Sequence, residues 1–123
     1  MPELPLVVND VGRWYAATTL ALGERTGLLG ALLAGGGRAA ELATHAGVDA
    51  HNAMVWADAM VVAGYARAEG ERYLADEDAL GPLRGGFPFD LRAVVELLAP
   101  LGGMLPRVEV AMRDGAGITS AEF

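Results

Sequence analysis

The stretch Arg38-Ala39-Ala40-Glu41-Leu42-Ala43-Thr44-His45-Ala46-Gly47-Val48-Asp49 decides the fold. Its apolar residues Ala39, Leu42, Ala43 and Ala46 recur at three and four positions, one face of a short helix. Gly47 suits a left-handed C-cap, and Asp49 suits the N-cap of a next helix, with Asn52 three residues on. That second helix runs to about Ala63, before Gly64. Ala66 to Leu74 then places two short segments around Glu69-Gly70-Glu71, which predicts a hairpin and is the only strand signal in the chain. Short helix, glycine turn, second helix and hairpin, in this order, predict a winged helix-turn-helix over 38–74.

Outward from this unit the pattern stays helical. Upstream, Val7, Val11, Trp14, Thr18 and Ala21/Leu22 predict an amphipathic helix of about 18 residues, started by Asn9 or Asp10. Gly27 punctuates it. Leu28, Leu29, Leu32 and Leu33 predict a second, short helix, stopped by Gly35-Gly36-Gly37. Downstream, Asp76-Glu77-Asp78 and Gly81 to Pro88 read as a loop with one helical turn. A long periodicity over 90–113 follows, through Val94, Leu97, Leu101, Met104 and Val108. Pro100 and Pro106 are expected to kink or split that helix, since each lacks an N–H and clashes with the preceding turn. The tail from Gly115 reads as a linker. The expected fold is mainly α: one domain over 1–123, a winged helix-turn-helix with flanking N- and C-terminal helices and one β-hairpin wing.

Composition limits the function classes. Of 123 residues, 53% are hydrophobic, mean hydropathy is +0.31, and 16 acids against nine bases leave a net charge of −7. Disorder is excluded, because such a chain has apolar surface enough to offset the entropy of ordering. The longest uncharged stretch, Thr26 to Gly37, is too short for a membrane span of about 20 residues. Met1 to Pro5 lacks the basic-then-apolar pattern of a secretory signal, so a cytoplasmic location is expected. Without cysteine there is no disulfide framework, thiolate nucleophile or thiolate metal site, and without lysine no Schiff base.

The acidity also bears on the helix-turn-helix. Its second helix should bury Ala53, Ala57 and Met60 and turn His51, Asn52, Met54, Val55, Asp58 and Val61 outward, with Trp56 on the same apolar surface. A recognition helix needs basic or amide side chains there to reach phosphates and base edges. From Arg38 to Tyr65 there is one arginine against three acids. An apolar face in that position predicts protein binding rather than nucleic acid.

Several short motifs carry a family resemblance across nearly the whole chain. Ala21-Leu22-Gly23-Glu24-Arg25-Thr26-Gly27-Leu28 resembles the "ALGxRxGL" opening of a group of S-adenosylmethionine-dependent methyltransferases, which carry a winged-helix domain ahead of their catalytic domain. Glu41-Leu42-Ala43, Gly47-Val48, Trp56 at the place of the family's "REWL", Gly64-Tyr65 and Arg72-Tyr73 continue the similarity. So do Ala75 to Asp78, Gly85-Gly86, Leu105-Pro106-Arg107 and the closing Ser120-Ala121-Glu122-Phe123, similar to "YAEF". Where the family keeps charges, this chain has His51 to Ala57, a more apolar helix. The resemblance implies a homodimerising, substrate-capping module, acting as a fragment or as a stand-alone relative in small-molecule tailoring. It also implies that adenosylmethionine belongs to a separate or C-terminal methyltransferase domain and not to these 123 residues. Gly115-x-Gly117 has no buried strand before it and no helix after it, so no cofactor is expected to bind this chain.

Other chemistry has thin support. His45 and His51 lack the i,i+4 spacing of metal ligands, and Ser120, the sole serine, has no nucleophile elbow. Asp76 to Asp78 read as a solvated charge run. Trp14, Tyr15, Thr18, Met54, Trp56, Phe87 and Met104 remain as candidate small-molecule or interface contacts; Phe89 beside Pro88 belongs with them. Their spacing fits ordinary core as well as a small-molecule cavity, and core or a dimer interface is the expected role. The alternatives to the module are a winged-helix transcriptional regulator and a small apolar-ligand-binding or cyclase-like protein.

Overall fold

Capping chemistry sets most of the element boundaries. The computed structural model describes residues 5–86, 88 and 90–115. Helix α1 spans Leu6–Thr26 and α2 spans Leu28–Leu33, joined at Gly27 in the left-handed conformation. A two-residue strand β1 (Gly37–Arg38) leads into α3 (Ala39–Ala46) and α4 (Ala50–Ala63). Strands β2 (Ala66–Glu69) and β3 (Arg72–Ala75) follow, then α5 (Glu77–Leu80), a 3-10 turn (Gly81–Arg84) and α6 (Leu91–Asp114). The chain is thus mainly helical, with one small antiparallel sheet.

The central stretch folds as its sequence predicts. Gly47 closes α3 at φ 71°, a conformation that costs other residues a Cβ clash, and its N–H donates to the Ala43 carbonyl. Asp49 caps α4, its carboxylate accepting from the Asn52 N–H at 3.0 Å. The hairpin pairs Ala66 with Ala75 and Glu69 with Arg72 around Gly70.

Four expectations need correction. The hairpin is not the only sheet element: β1 lies on the far side of β3, pairing Gly37 with Tyr73 and Arg38 with Arg72, in the order β1-β3-β2. Two residues have no period of their own, so only the partner strand defines them. The close approach is visible at Gly36, φ 69°, where a Cβ would overlap the Tyr73 carbonyl. Secondly, neither Asn9 nor Asp10 caps α1. Pro5, fixed at φ −52° and extended in ψ, starts the helix, and its carbonyl accepts from the N–H groups of Val8 and Asn9. Thirdly, α6 is not split at Pro100 or Pro106 but runs unbroken from the Asp90 cap. A proline in a helix interior costs about 3 kcal/mol, which α6 offsets by lying along α1.

The fourth correction concerns burial. The core forms where the C-terminal end of α1 meets α2, α3, α4 and the hairpin, centred on Leu29, Leu32, Leu42, Met60 and Leu80. Ala53, Ala57 and Met60 face it as expected. Trp56 does not face outward; it is 4% exposed. Its Nε1–H donates to the Thr19 carbonyl at 2.9 Å, and its ring occupies the space where a side chain at Gly23 would sit. Burying the indole removes a large apolar area while the hydrogen bond satisfies its one polar atom. The ring fits because residue 23 has no side chain.

Two polar staples complete the fold. Arg92 on the first turn of α6 bonds Glu24 on α1 at 2.9 Å, with Glu24 largely shielded from solvent. Arg84 donates to both carboxylate oxygens of Glu77 and to the Leu33 carbonyl, one of the orphan acceptors at the end of α2.

Helix propensity alone would have Gly23→Ala stabilise the protein by about 1 kcal/mol. Here the added methyl overlaps the Trp56 ring, so we expect a net loss of about 1–3 kcal/mol in chemical denaturation. Gly12→Ala, on the same helix with nothing within 4 Å of the new methyl, should be stabilising by roughly 0.5–1 kcal/mol. The Arg84 hydrogen bonds hold the Glu77 carboxyl below its ordinary 4.5. Its contribution is therefore full above pH 4.5 and fades as pH falls below that value. Glu77→Gln should open a small gap in melting temperature at neutral pH that closes on acidification.

Candidate functional site

Only the last third of α1 is covered by the core. Leu20, Ala21 and Gly23 are buried there, whereas Leu6, Val7, Val8, Val11, Trp14 and Tyr15 are all exposed. At 100° per residue, Val7, Val11, Trp14, Thr18 and Leu22 share one face. That is the stripe whose periodicity announced the helix. Except at Ala21, the stripe meets solvent: Val7 is 67% exposed, Trp14 49% and Leu22 54%. The helix meets the core instead through Leu20 and the small Ala21 and Gly23. Alongside it, α6 adds the exposed Leu105, Val110 and Met112, with Met104 and Val108 half-buried.

Helices α1 and α4 run antiparallel and touch most closely at Trp56, leaving an open groove along their outer side. One section, of 440 Å³, lies between Leu22, Thr26, Val48 and Val55. A wider one, of 840 Å³, lies between Val8, Arg13, Tyr15, Val62 and Tyr65. Thr19 and Ala59 border both, so the two sections meet there. The hydroxyls of Thr19 and Thr26 donate back to the Tyr15 and Leu22 carbonyls at 2.9 Å, which removes them as donors to a ligand.

On α4 the exposed apolar residues are Met54, Val55 and Val62, and the helix contains no arginine or lysine. Its one acid, Asp58, accepts a 2.6 Å hydrogen bond from the Tyr73 hydroxyl on β3. That bond, reinforced by partial burial and the nearby negative charge, raises the Tyr73 phenol above its ordinary value of 10.0. The face is suited to apolar contact and unsuited to phosphates.

The predicted contact residues therefore separate. Trp14 and Thr18 lie on the outward stripe of α1, and Tyr15, 72% exposed, borders the groove. Trp56 sits under the groove as part of the core, and Met54 is exposed on α4, outside the groove lining. Met104 lies on α6, its sulfur 4.0 Å from an Arg107 nitrogen. Phe87, Phe89 and the 116–123 tail, including Gly117 and Ser120, fall outside the described residues. What sequence reading passed over is Arg13, Val62 and Tyr65, which line the groove. Their convergence depends on the antiparallel seating of α1 on α4 and has no local signal.

Among the described residues no three metal-ligating side chains cluster, and no helix is long and apolar enough to cross a membrane. Compared with protein-family models and with curated protein sequences, the chain matches none.

Proposed function

We propose that this chain is a non-catalytic dimerisation and substrate-capping module, with the winged helix-turn-helix architecture found ahead of the catalytic domain in S-adenosylmethionine-dependent methyltransferases. The observation that carries the pairing is the Val7, Val11, Trp14, Thr18 and Leu22 stripe, four of whose five residues are large and apolar, left open to solvent. Single exposed apolar residues are ordinary, but a contiguous stripe over four helical turns is an association surface. A second copy presents the same stripe. Two such helices packed about a two-fold axis would bury Trp14 and Val11 of each against the other, with α6 widening the contact through Leu105 and Met112.

The winged architecture is supported by the order α3, α4, β2, β3, with β1 completing the sheet. In this reading α4 presents an apolar face where a DNA-binding relative would present bases, so the module works on proteins and small molecules. Adenosylmethionine would be held elsewhere, on a partner or following domain. The glycine run Gly35-Gly36-Gly37 leads from helix α2 into strand β1. A cofactor loop needs the reverse order, strand to glycines to helix, and the residues present do not fit the cofactor.

Sedimentation equilibrium at micromolar concentration should give a dimer, and Val11→Asp with Trp14→Asp should give a monomer whose helicity and melting temperature match the parent's within about 0.5 kcal/mol of stability. A wild-type monomer would defeat the pairing. Calorimetry should detect no heat of adenosylmethionine binding; a measurable affinity would contradict the assignment of the cofactor to another domain.

A further inference from the structure

The groove between α1 and α4 differs electrostatically from the rest of the molecule. The chain carries 16 acids for a net charge of −7, yet neither groove section is lined by a carboxylate. The nearest acid on α4, Asp58, is engaged by Tyr73. The single charged side chain of the lining is Arg13, and it makes no ion pair or hydrogen bond with any described residue. Five arginines sit against acids: Arg38 on Glu71, Arg67 on Glu69, Arg84 on Glu77, Arg92 on Glu24 and Arg113 on Glu109; Arg25 and Arg72, like Arg13, have no such partner among the described residues, but only Arg13 lines the groove. Near Arg13, Asn9, Tyr15 and Tyr65 contribute an amide and two phenols, and these three side chains have no hydrogen-bond partner among the described residues. The remaining lining is apolar, through Val8, Ala59 and Val62.

We infer that the wide section of this groove binds a small amphipathic carboxylate: an aromatic or alicyclic body laid between α1 and α4, with its carboxylate on the Arg13 guanidinium. The chemistry selects this class. An apolar trough of 840 Å³ falls in the size range of small-molecule sites, where a few polar groups fix orientation. A guanidinium without a protein partner matches a carboxylate through two parallel N–H···O bonds. A neutral apolar molecule would leave Arg13 unused. A dianion would meet one cation in the field of an acidic protein. The site does not require the pairing proposed above, because it opens on the α4 side of α1 and the pairing stripe lies on a different face.

The test uses 2-naphthoate and its neutral isostere 2-naphthamide on the full chain, followed by calorimetry and by amide chemical shifts. Naphthoate should bind with shifts centred on Arg13, Tyr15, Ala59 and Val62, and Arg13→Gln should weaken it roughly tenfold. Naphthamide should bind more weakly than the acid and be indifferent to Arg13→Gln. Val62→Asp places a carboxylate on a side chain that is 89% exposed, so the fold is kept; loss of the apolar contact should weaken both ligands, and the added charge should weaken naphthoate more than naphthamide. Equal affinity for acid and amide would overturn the inference, as would an Arg13→Gln variant that binds naphthoate normally. So would shifts that map to Leu6, Val7 and Val11, or monomer release in step with binding, which would make the groove a seat for a second copy.

Discussion

The seat of Trp56 on Gly23 governs where everything else lies. One glycine in the final turns of α1 lets an indole approach the helix closely, and the Thr19 carbonyl takes its N–H. That contact fixes the spacing and angle of α4 on α1, and through α4 the seating of α3 and the hairpin. It also fixes how far α1 extends beyond the core. Since the contact falls near the C-terminal end of a 21-residue helix, the preceding turns overhang. The groove beside them is the wedge of space that a close contact at one end leaves between two helices at the other.

The overhang explains why periodicity found α1 without stating what covers its apolar face. A 3.6-residue period states that one side of a helix is apolar; it does not state what covers that side. Here the large residues Val7, Val11, Trp14 and Leu22 made most of the signal, while α1 meets the core through Leu20 and two small residues, Ala21 and Gly23. Small residues allow close approach and contribute little to a hydrophobic pattern. The stripe with the strongest signal is therefore the one left over, which is what an association surface looks like when read from a single chain. Where chemistry is local, sequence reading succeeded: the Asp49 cap, the Gly47 stop and the Gly70 turn each depend on residues within a few positions. Where it depends on a distant partner, it failed. Strand β1 exists only because β3 lies beside it, and Trp56 is buried only because Gly23, on another helix, has no side chain.

Charge distribution followed the same division. Helix α4 itself carries no arginine or lysine, and net acidity was plain from composition. Its unevenness was not visible there, because the groove lining alternates between two segments some forty residues apart. Folding places the uncharged sides of α1 and α4 opposite one another and turns the acids elsewhere: Glu24 to Arg92, Asp58 to Tyr73, Asp49 to the α4 cap. Arg13 is the charge that the groove retains when these acids have been assigned to other partners.

One helix thus serves two surfaces. On α1 the stripe through Val11 and Trp14 and the groove wall through Val8, Gly12 and Thr19 are offset by about 100°, a single residue step. Tyr15 lies at their border, exposed on one side and lining the groove on the other. If a second copy covers the stripe, Tyr15 is the side chain whose freedom it would restrict first. A phenol held against the groove mouth would narrow the opening without touching Arg13. Pairing would then bear on the groove mouth only through this side chain, while the Arg13 section keeps its own walls on α1 and α4. In the capping reading proposed above, these are the two features such a module combines: an apolar surface open to association and, a residue step away, a cleft.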